Sequence, residues 1–237
     1  MGLKESGLRG SLRNVSVGIN AIPDSGLLHR HVASAGVTED TTVTGWDDQE
    51  SDLNLTGEAT QTRDDGPNSK TVVEFDGDGS SPDKLDGSRD TSFAEPYEFY
   101  LVARLRTAND GVFKMLNNSS TSGRNGGLIQ HSDGDWAVIG DDGAASQSGV
   151  TADTDYHIFN IEIQSGQAIL RLDTEGNEIV NDSDYTSAAL DGITLGARPS
   201  DDWPADCDIV DQLYYDPSDG DYSRSDVFDA LQSEYGI

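Results

Sequence analysis

The stretch Tyr156–Asp173, YHIFNIEIQSGQAILRLD, decides the fold class. Over Tyr156–Gln164 apolar and polar residues alternate, which puts Phe159, Ile161 and Ile163 on one side. Ser165-Gly166 supplies a turn, and the alternation resumes with Ala168, Leu170 and Leu172. Every second side chain of a strand shares a face, so this pattern predicts a hairpin with one buried side. Outward from it, Tyr97–Arg106 (YEFYLVARLR) repeats the pattern with Phe99, Leu101, Ala103 and Leu105. Further strand-like runs are Thr71–Asp76, Val112–Leu116, Leu128–His131, Trp136–Ile139, Glu178–Val180, Ile193–Ala197 and Asp208–Tyr215. One polar and one buried face per strand predicts an all-β, antiparallel β-sandwich. Only Ser223–Tyr235 has helical spacing: Ser223 or Ser225 as cap, an apolar stripe of Val227, Phe228 and Leu231, and Gly236 as stop.

The chain has 237 residues, a length that sandwiches reach as single domains. Forty-four acidic residues face fifteen basic ones, a net charge of −29. The acids are spread singly and in pairs between apolar runs, as on a solvated folded surface. At low salt such a surface repels itself. At ~1 M salt the Debye length falls to about 3 Å and the repulsion is screened. The charge pattern resembles that of haloarchaeal proteins and of their viruses. It argues against nucleic-acid binding, because phosphates are repelled. A single cysteine, Cys207, excludes an intrachain disulfide, and no apolar run is long enough to span a membrane. The N-terminal stretch lacks the apolar segment of a secretory signal, so export by that route is not expected.

Charge also divides the chain. Residues 1–35 hold four basic and two acidic residues, a net of +2, which leaves −31 on the other 202. Pro23-Asp24-Ser25-Gly26 marks a turn. The expected division is an extended N-terminal arm, residues 1–26, and one domain, residues 27–237. The arm's spacing of Leu8, Leu12, Val15, Val17, Ile19 and Ile22 suits strand addition to an acidic partner surface.

Five blocks carry a family resemblance. They are LHRHVASAGVTEDTTVTGWDD (28–48), GPNSKTVVEFDG (66–77), YEFYLVARLR (97–106), DGITLGAR (191–198) and the closing segment from Asp208 through Leu213-Tyr214-Tyr215-Asp216 to Glu234-Tyr235-Gly236-Ile237. Their order resembles the laminin-G-like and concanavalin-A-like jelly rolls of bacterial, archaeal and viral surface proteins. The arm, GLRGSLRNVSVGINAIPDS (7–25), is similar to the leading segment of virion surface proteins of tailed viruses. The resemblance is specific for fold and weak for function, since this fold hosts binding modules and enzymes alike. It implies loop-bound calcium: the turns Asp76-Gly77-Asp78, Asp133-Gly134-Asp135 and Asp201-Asp202 could each supply ligands, and Asp76 and Asp78 are the candidate pair.

The residues give little support to catalysis. Sandwich glucanases of this class carry Glu-x-Asp-x-x-Glu on one strand. Here Glu74-Phe75-Asp76 begins that pattern, but Gly79 stands at the place of the acid. Asp206-Cys207-Asp208-Ile209-Val210-Asp211 has the spacing with aspartates only. His29 and His31 share a strand face without a third ligand at motif spacing, and read as partly exposed strand histidines. The expectation is a non-enzymatic virion structural protein of a haloarchaeal tailed virus. It is a capsid decoration, turret or tail attachment protein, anchored to capsid or tail proteins by the arm and present in homo-oligomeric copies on the particle surface. Trp136, Trp203, Tyr185 and Tyr222 are the expected exposed aromatics for host-surface glycan. The alternative is a secreted or cell-surface module that binds or hydrolyses glycan.

Overall fold

A computed structural model describes residues 21–77, 82–109, 111–122, 126–140, 145–181, 189–219 and 221–237. In chain order the strands are β1 (Leu27–Val32), β2 (Val37–Glu39), β3 (Val43–Trp46), β4 (Leu55–Ala59), β5 (Gln61–Arg63), β6 (Val72–Phe75), β7 (Lys84–Phe93), β8 (Tyr97–Leu105), β9 (Lys114–Asn118), β10 (Gly127–Gln130), β11 (Asp135–Ile139), β12 (Ala145–Thr151), β13 (His157–Gln164), β14 (Gln167–Leu172), β15 (Glu178–Asn181), β16 (Leu190–Leu195) and β17 (Cys207–Tyr215). The α-helix α1 (Arg224–Tyr235) follows.

All the strand pairs are antiparallel, and they form two sheets. The first runs β15-β14-β13-β8-β17, after which the two halves of β17 take different neighbours. Cys207, Asp208 and Ile209 pair with β6, and Asp211–Tyr215 pair with β1. The second runs β12-β11-β10-β9-β16-β7-β4-β3-β2. The hairpin read from Tyr156–Asp173 is β13–β14, closed by a Gln164/Gln167 pair with Gly166 at φ +79°. Residues of both sheets interdigitate in one core: Phe99, Leu101, Leu105, Phe159 and Ile161 from the first, Leu85, Leu116, Leu128 and Leu195 from the second. Cys207 lies within it, and burial pushes its thiol pKa up. Asn117 and Asn118 are fully buried.

Polar-out alternation fails on the first sheet. Its outer face is covered rather than solvated: Val72, Tyr100, Val102, Ile158, Val210, Leu213 and Tyr215 pack under Val227, Phe228, Leu231 and Tyr235 of α1. Burying each large aliphatic or aromatic side chain there contributes about 1.5–3 kcal/mol. The helix stops where Gly236 turns left-handed at φ +70°. Ser223 occupies the cap position but makes no side-chain capping bond; its Oγ lies 2.6 Å from Ser225 Oγ.

The charged residues of that face form ion-pair networks. Asp208 is fully buried and accepts from Arg63 Nη2 (2.9 Å), Arg104 Nε (2.8 Å) and Tyr156 Oη (3.2 Å). Asp211, also fully buried, accepts from Arg30 Nη2 at 2.8 Å and Tyr235 Oη at 2.7 Å. Arg171, 2% exposed, joins Asn160, Glu162 and Glu178. A bulge at Ile209/Asp211 shifts the register of β17, so Val210 and Asp211 both face outward.

Two contacts with the sandwich lie ahead of β1. Ile22 packs against the α1 cluster, and Tyr215 Oη donates to the Pro23 carbonyl at 2.9 Å.

Candidate functional site

At one end of the sandwich a cleft of about 530 Å³ opens between three segments: the end of β6, the residues leading into β9, and the loop leading into β17. Gly77 makes this closure possible, because a Cβ there would stand 2.7 Å from the Asp206 amide nitrogen. The same loop holds Asp201 and Trp203 at φ +61° and +56°. These left-handed conformations are costly for residues with side chains and cluster at functional positions.

Two unlike walls face the cleft. One is apolar: Val112 is 42% exposed, and Phe113 stacks on Trp203 with centroids 4.7 Å apart and planes at 19°. The Arg198 guanidinium lies 4.6 Å from the Trp203 ring centre and is itself held by Asp202 at 2.6 Å. The indole is therefore fixed before any ligand arrives. The other wall is polar. Lys114, lowered in pKa by burial, donates to the Thr107 carbonyl. Asp206 binds Arg106 at 2.5 Å and accepts from Thr107 Oγ1 at 2.5 Å. The Asp76 carboxylate and the Asn109 side-chain amide engage no partner among the described residues.

Asp76 and Trp203 are thus brought together in one cleft. The other expected site residues are not. Trp136 is a correction: it is fully buried, edge-on to Phe159 at 4.7 Å, because the alternation that makes β11 a strand points it inward. Tyr222 stacks on Tyr215 at 4.5 Å and donates to Glu98 on the outer face of the first sheet, away from the cleft. Asp78 and Tyr185 lie outside the described residues. Among the described residues no group of three or more His, Cys, Asp or Glu side chains is placed to hold a metal. Phe113 escapes sequence reading because the alternation of Val112–Leu116 suggests a strand from Val112, whereas β9 starts at Lys114. The Asn109-Asp110-Gly111 turn signal before it was the available clue.

The two histidines of β1 are buried, 3% and 0% exposed, which corrects their reading as partly exposed. His31 bonds the Leu53 carbonyl at 2.9 Å, and burial lowers its pKa. His29 meets Asp48 at 2.6 Å. The aspartates of the Asp-x-Asp-x-x-Asp run are also spoken for, since Asp208 and Asp211 are sealed in the outer-face ion pairs.

This fold and cleft define an antiparallel jelly-roll sandwich with a loop-built site at one end. Among solved structures the chain is similar to a Trypanosoma rangeli sialidase mutant displaying trans-sialidase activity, with a TM-score of 0.62 and 12% identity over 90% of this chain and 34% of the other. Trypanosoma rangeli sialidase in complex with the inhibitor DANA matches at TM-score 0.60 and 12% identity, covering 88% of this chain and 33% of that one. The botulinum neurotoxin serotype D binding domain matches at TM-score 0.55 and 11% identity, over 91% and 52%. The chain therefore spans about a third of the sialidases and about half of the toxin domain, and at these identities the likeness is one of fold. No family model and no curated protein matches the sequence.

Proposed function

We propose that this chain is a glycan-binding jelly-roll module. The observation that carries the reading is the cleft with a preset aromatic wall opposite unengaged polar groups. A sugar ring has an apolar C–H face and a rim of hydroxyls, and a cleft of this size and mixed character suits it. Binding rather than hydrolysis is supported by the strand carboxylates, which are committed to arginines instead of standing as a free pair flanking a bond. The test is a glycan array in molar KCl with the full chain, Trp203→Ala and Asn109→Ala. Trp203→Ala is expected to lose at least tenfold in affinity for whatever glycan the wild type retains. Equal retention by the variant, or release of reducing sugar by the wild type, rejects the reading.

The setting we propose is the surface of a haloarchaeal tailed-virus particle, in repeated copies that turn weak contacts into avidity. The charge contrast supports it: a segment of +2 joined to a body of −31 suits attachment to an acidic partner. Proteomics of purified particles tests this, and absence of the chain from them refutes it. Calcium at Asp76 with Asp78 is proposed as a structural ion. Less than one calcium per chain after extensive dialysis rules it out.

A further inference from the structure

A second cleft, of about 410 Å³, lies where β1, the residues after β3 and the middle of β7 meet. Arg89 of β7 lines it and stands apart from the other described arginines. Arg30, Arg63, Arg104, Arg106, Arg171, Arg198 and Arg224 each pair with a carboxylate. Arg89 pairs with none among the described residues, in a chain where acids outnumber bases by 44 to 15.

The cleft holds this guanidinium in place through a relay. Arg89 Nε donates to the Thr91 carbonyl at 3.1 Å, and Nη1 donates to His29 Nε2. A guanidinium is a donor only, so His29 Nε2 is an acceptor and the ring proton sits on Nδ1. Nδ1–H then donates to Asp48 Oδ2 at 2.6 Å. Burial alone would raise the Asp48 pKa. Donation from His29, from Ser51 Oγ and from the amides of Arg30 and Glu50 holds it far below the usual carboxylate range instead. The Asp48 carboxylate thus orients the imidazole, which in turn orients the guanidinium facing the cleft. Ordered outer partners of this kind fix functional groups in preset geometry.

We propose that this cleft binds an acidic sugar residue, with Arg89 receiving its carboxylate. The volume far exceeds an inorganic anion. Ser51, Ser88 and Thr91 line it; the Ser51 hydroxyl donates to Asp48 and the Ser88 hydroxyl lies 3.1 Å from Thr121 Oγ1, while the Thr91 hydroxyl has no partner among the described residues and is placed to meet a polyhydroxylated ring. Asp52 and Asp90, both exposed at its rim, repel multiply charged ligands yet accept hydrogen bonds from sugar hydroxyls. One guanidinium between two rim carboxylates therefore favours a ligand with a single negative charge on a neutral body. The site is separate from the Trp203 cleft, and its test is independent of that reading.

The test titrates the isotopically labelled full chain with methyl glucuronide, methyl glucoside and sodium sulfate, followed by amide shifts. The first two probes differ only in a carboxylate for a hydroxymethyl group. Glucuronide is expected to saturate shifts at Ser51, Ser88 and Thr91 at least tenfold more tightly than glucoside or sulfate, with Trp203→Ala unaffected and Arg89→Gln losing the preference. Phenylglyoxal labelling of the wild type supplies a readout that no folding defect touches: glucuronide, and not glucoside, protects the Arg89 peptide. Equal affinity for glucuronide and glucoside, sulfate binding as tight as glucuronide, or no protection of Arg89 overturns the proposal.

Discussion

Replacing Asp208 with Asn tests whether the acids of β17 serve the fold or a reaction. The substitution keeps the volume, so no cavity contributes and the effect is one of charge. In the native chain the Asp208 carboxylate has no exposure and binds Arg63 at 2.9 Å and Arg104 at 2.8 Å, with Tyr156 at 3.2 Å. Removing one partner of a buried pair costs about 3–5 kcal/mol, chiefly from the charge left behind. Here the loss is not spread evenly. Arg63 keeps Glu74 (3.2 Å) and Asp65 (3.1 Å), and Arg106 keeps Glu74 and Asp206. Arg104 has Asp208 as its carboxylate partner among the described residues and otherwise lies over the Tyr156 ring at 4.6 Å. The expected loss is therefore at the lower end, about 3 kcal/mol. For a chain of this length that lowers Tm by about 6–12 °C. Thermal unfolding by circular dichroism in molar KCl measures it, and the salt barely screens a pair so deeply placed. An unchanged or higher Tm would refute the reasoning. It would mean that the acids are held at the expense of the fold, as at a reactive site, and the hydrolase alternative would gain by it.

Three further outcomes are expected. His157 lies between Asp173 (2.8 Å) and Asp153 (2.9 Å); burial opposes its charge, but the two carboxylates win and raise its pKa to about 9. Because the folded value exceeds the unfolded one of about 6.5, this stabilisation is complete below pH 6.5 and is lost as pH rises through 9. Asp153 is half exposed, so the contribution is about 1–2 kcal/mol after screening, and His157→Gln should flatten Tm between pH 6.5 and 9.5; an unchanged slope rejects the assignment. Deletions of residues 1–20 and of residues 1–26 separate the contacts of Ile22 and Pro23 from the rest of the segment. Deletion through residue 26 should cost about 2 kcal/mol by removing Ile22 packing and the Tyr215–Pro23 bond, and equal melting of the two truncations contradicts this. Stability should rise steadily from 0.1 to 2 M KCl as the repulsion of a −29 chain is screened, and a flat profile speaks against a high-salt setting.

The parts of this fold that can be read from sequence are those whose two faces differ. β8, β13 and β14 alternate because their inner residues meet the opposing sheet, and α1 shows its stripe because one side rests on the sheet. β7 (KLDGSRDTSF) does not announce itself, since only Leu85 is buried along its ten residues and hydroxyl and charged residues fill both faces. β2 and β5 are three residues long, too short for any period to show. The outer face of the first sheet misleads for a different reason: an ion-paired arginine under a helix and a solvated arginine are the same letter. Trp203 was legible as a candidate, but the left-handed turn that aims it has no local signature, and its partner Phe113 is marked only by the Asn109-Asp110-Gly111 turn before it.

That ambiguity bears on what the charge of this protein means. The bare figure of −29 suggests a uniformly acidic shell. In the structure the arginines are unevenly placed: six of the eight described lie on the outer face of the first sheet in paired networks. Arg198, held by Asp202, braces the aromatic wall of one cleft from behind, and Arg89 lines the other. Among the described arginines, Arg30, Arg63 and Arg104 bind the buried aspartates of β17, and Arg224 ties α1 to Glu98. Arg89 is the described arginine without a carboxylate partner among the described residues, and in so acidic a sequence such an arginine is a stronger pointer to function than any of the numerous aspartates.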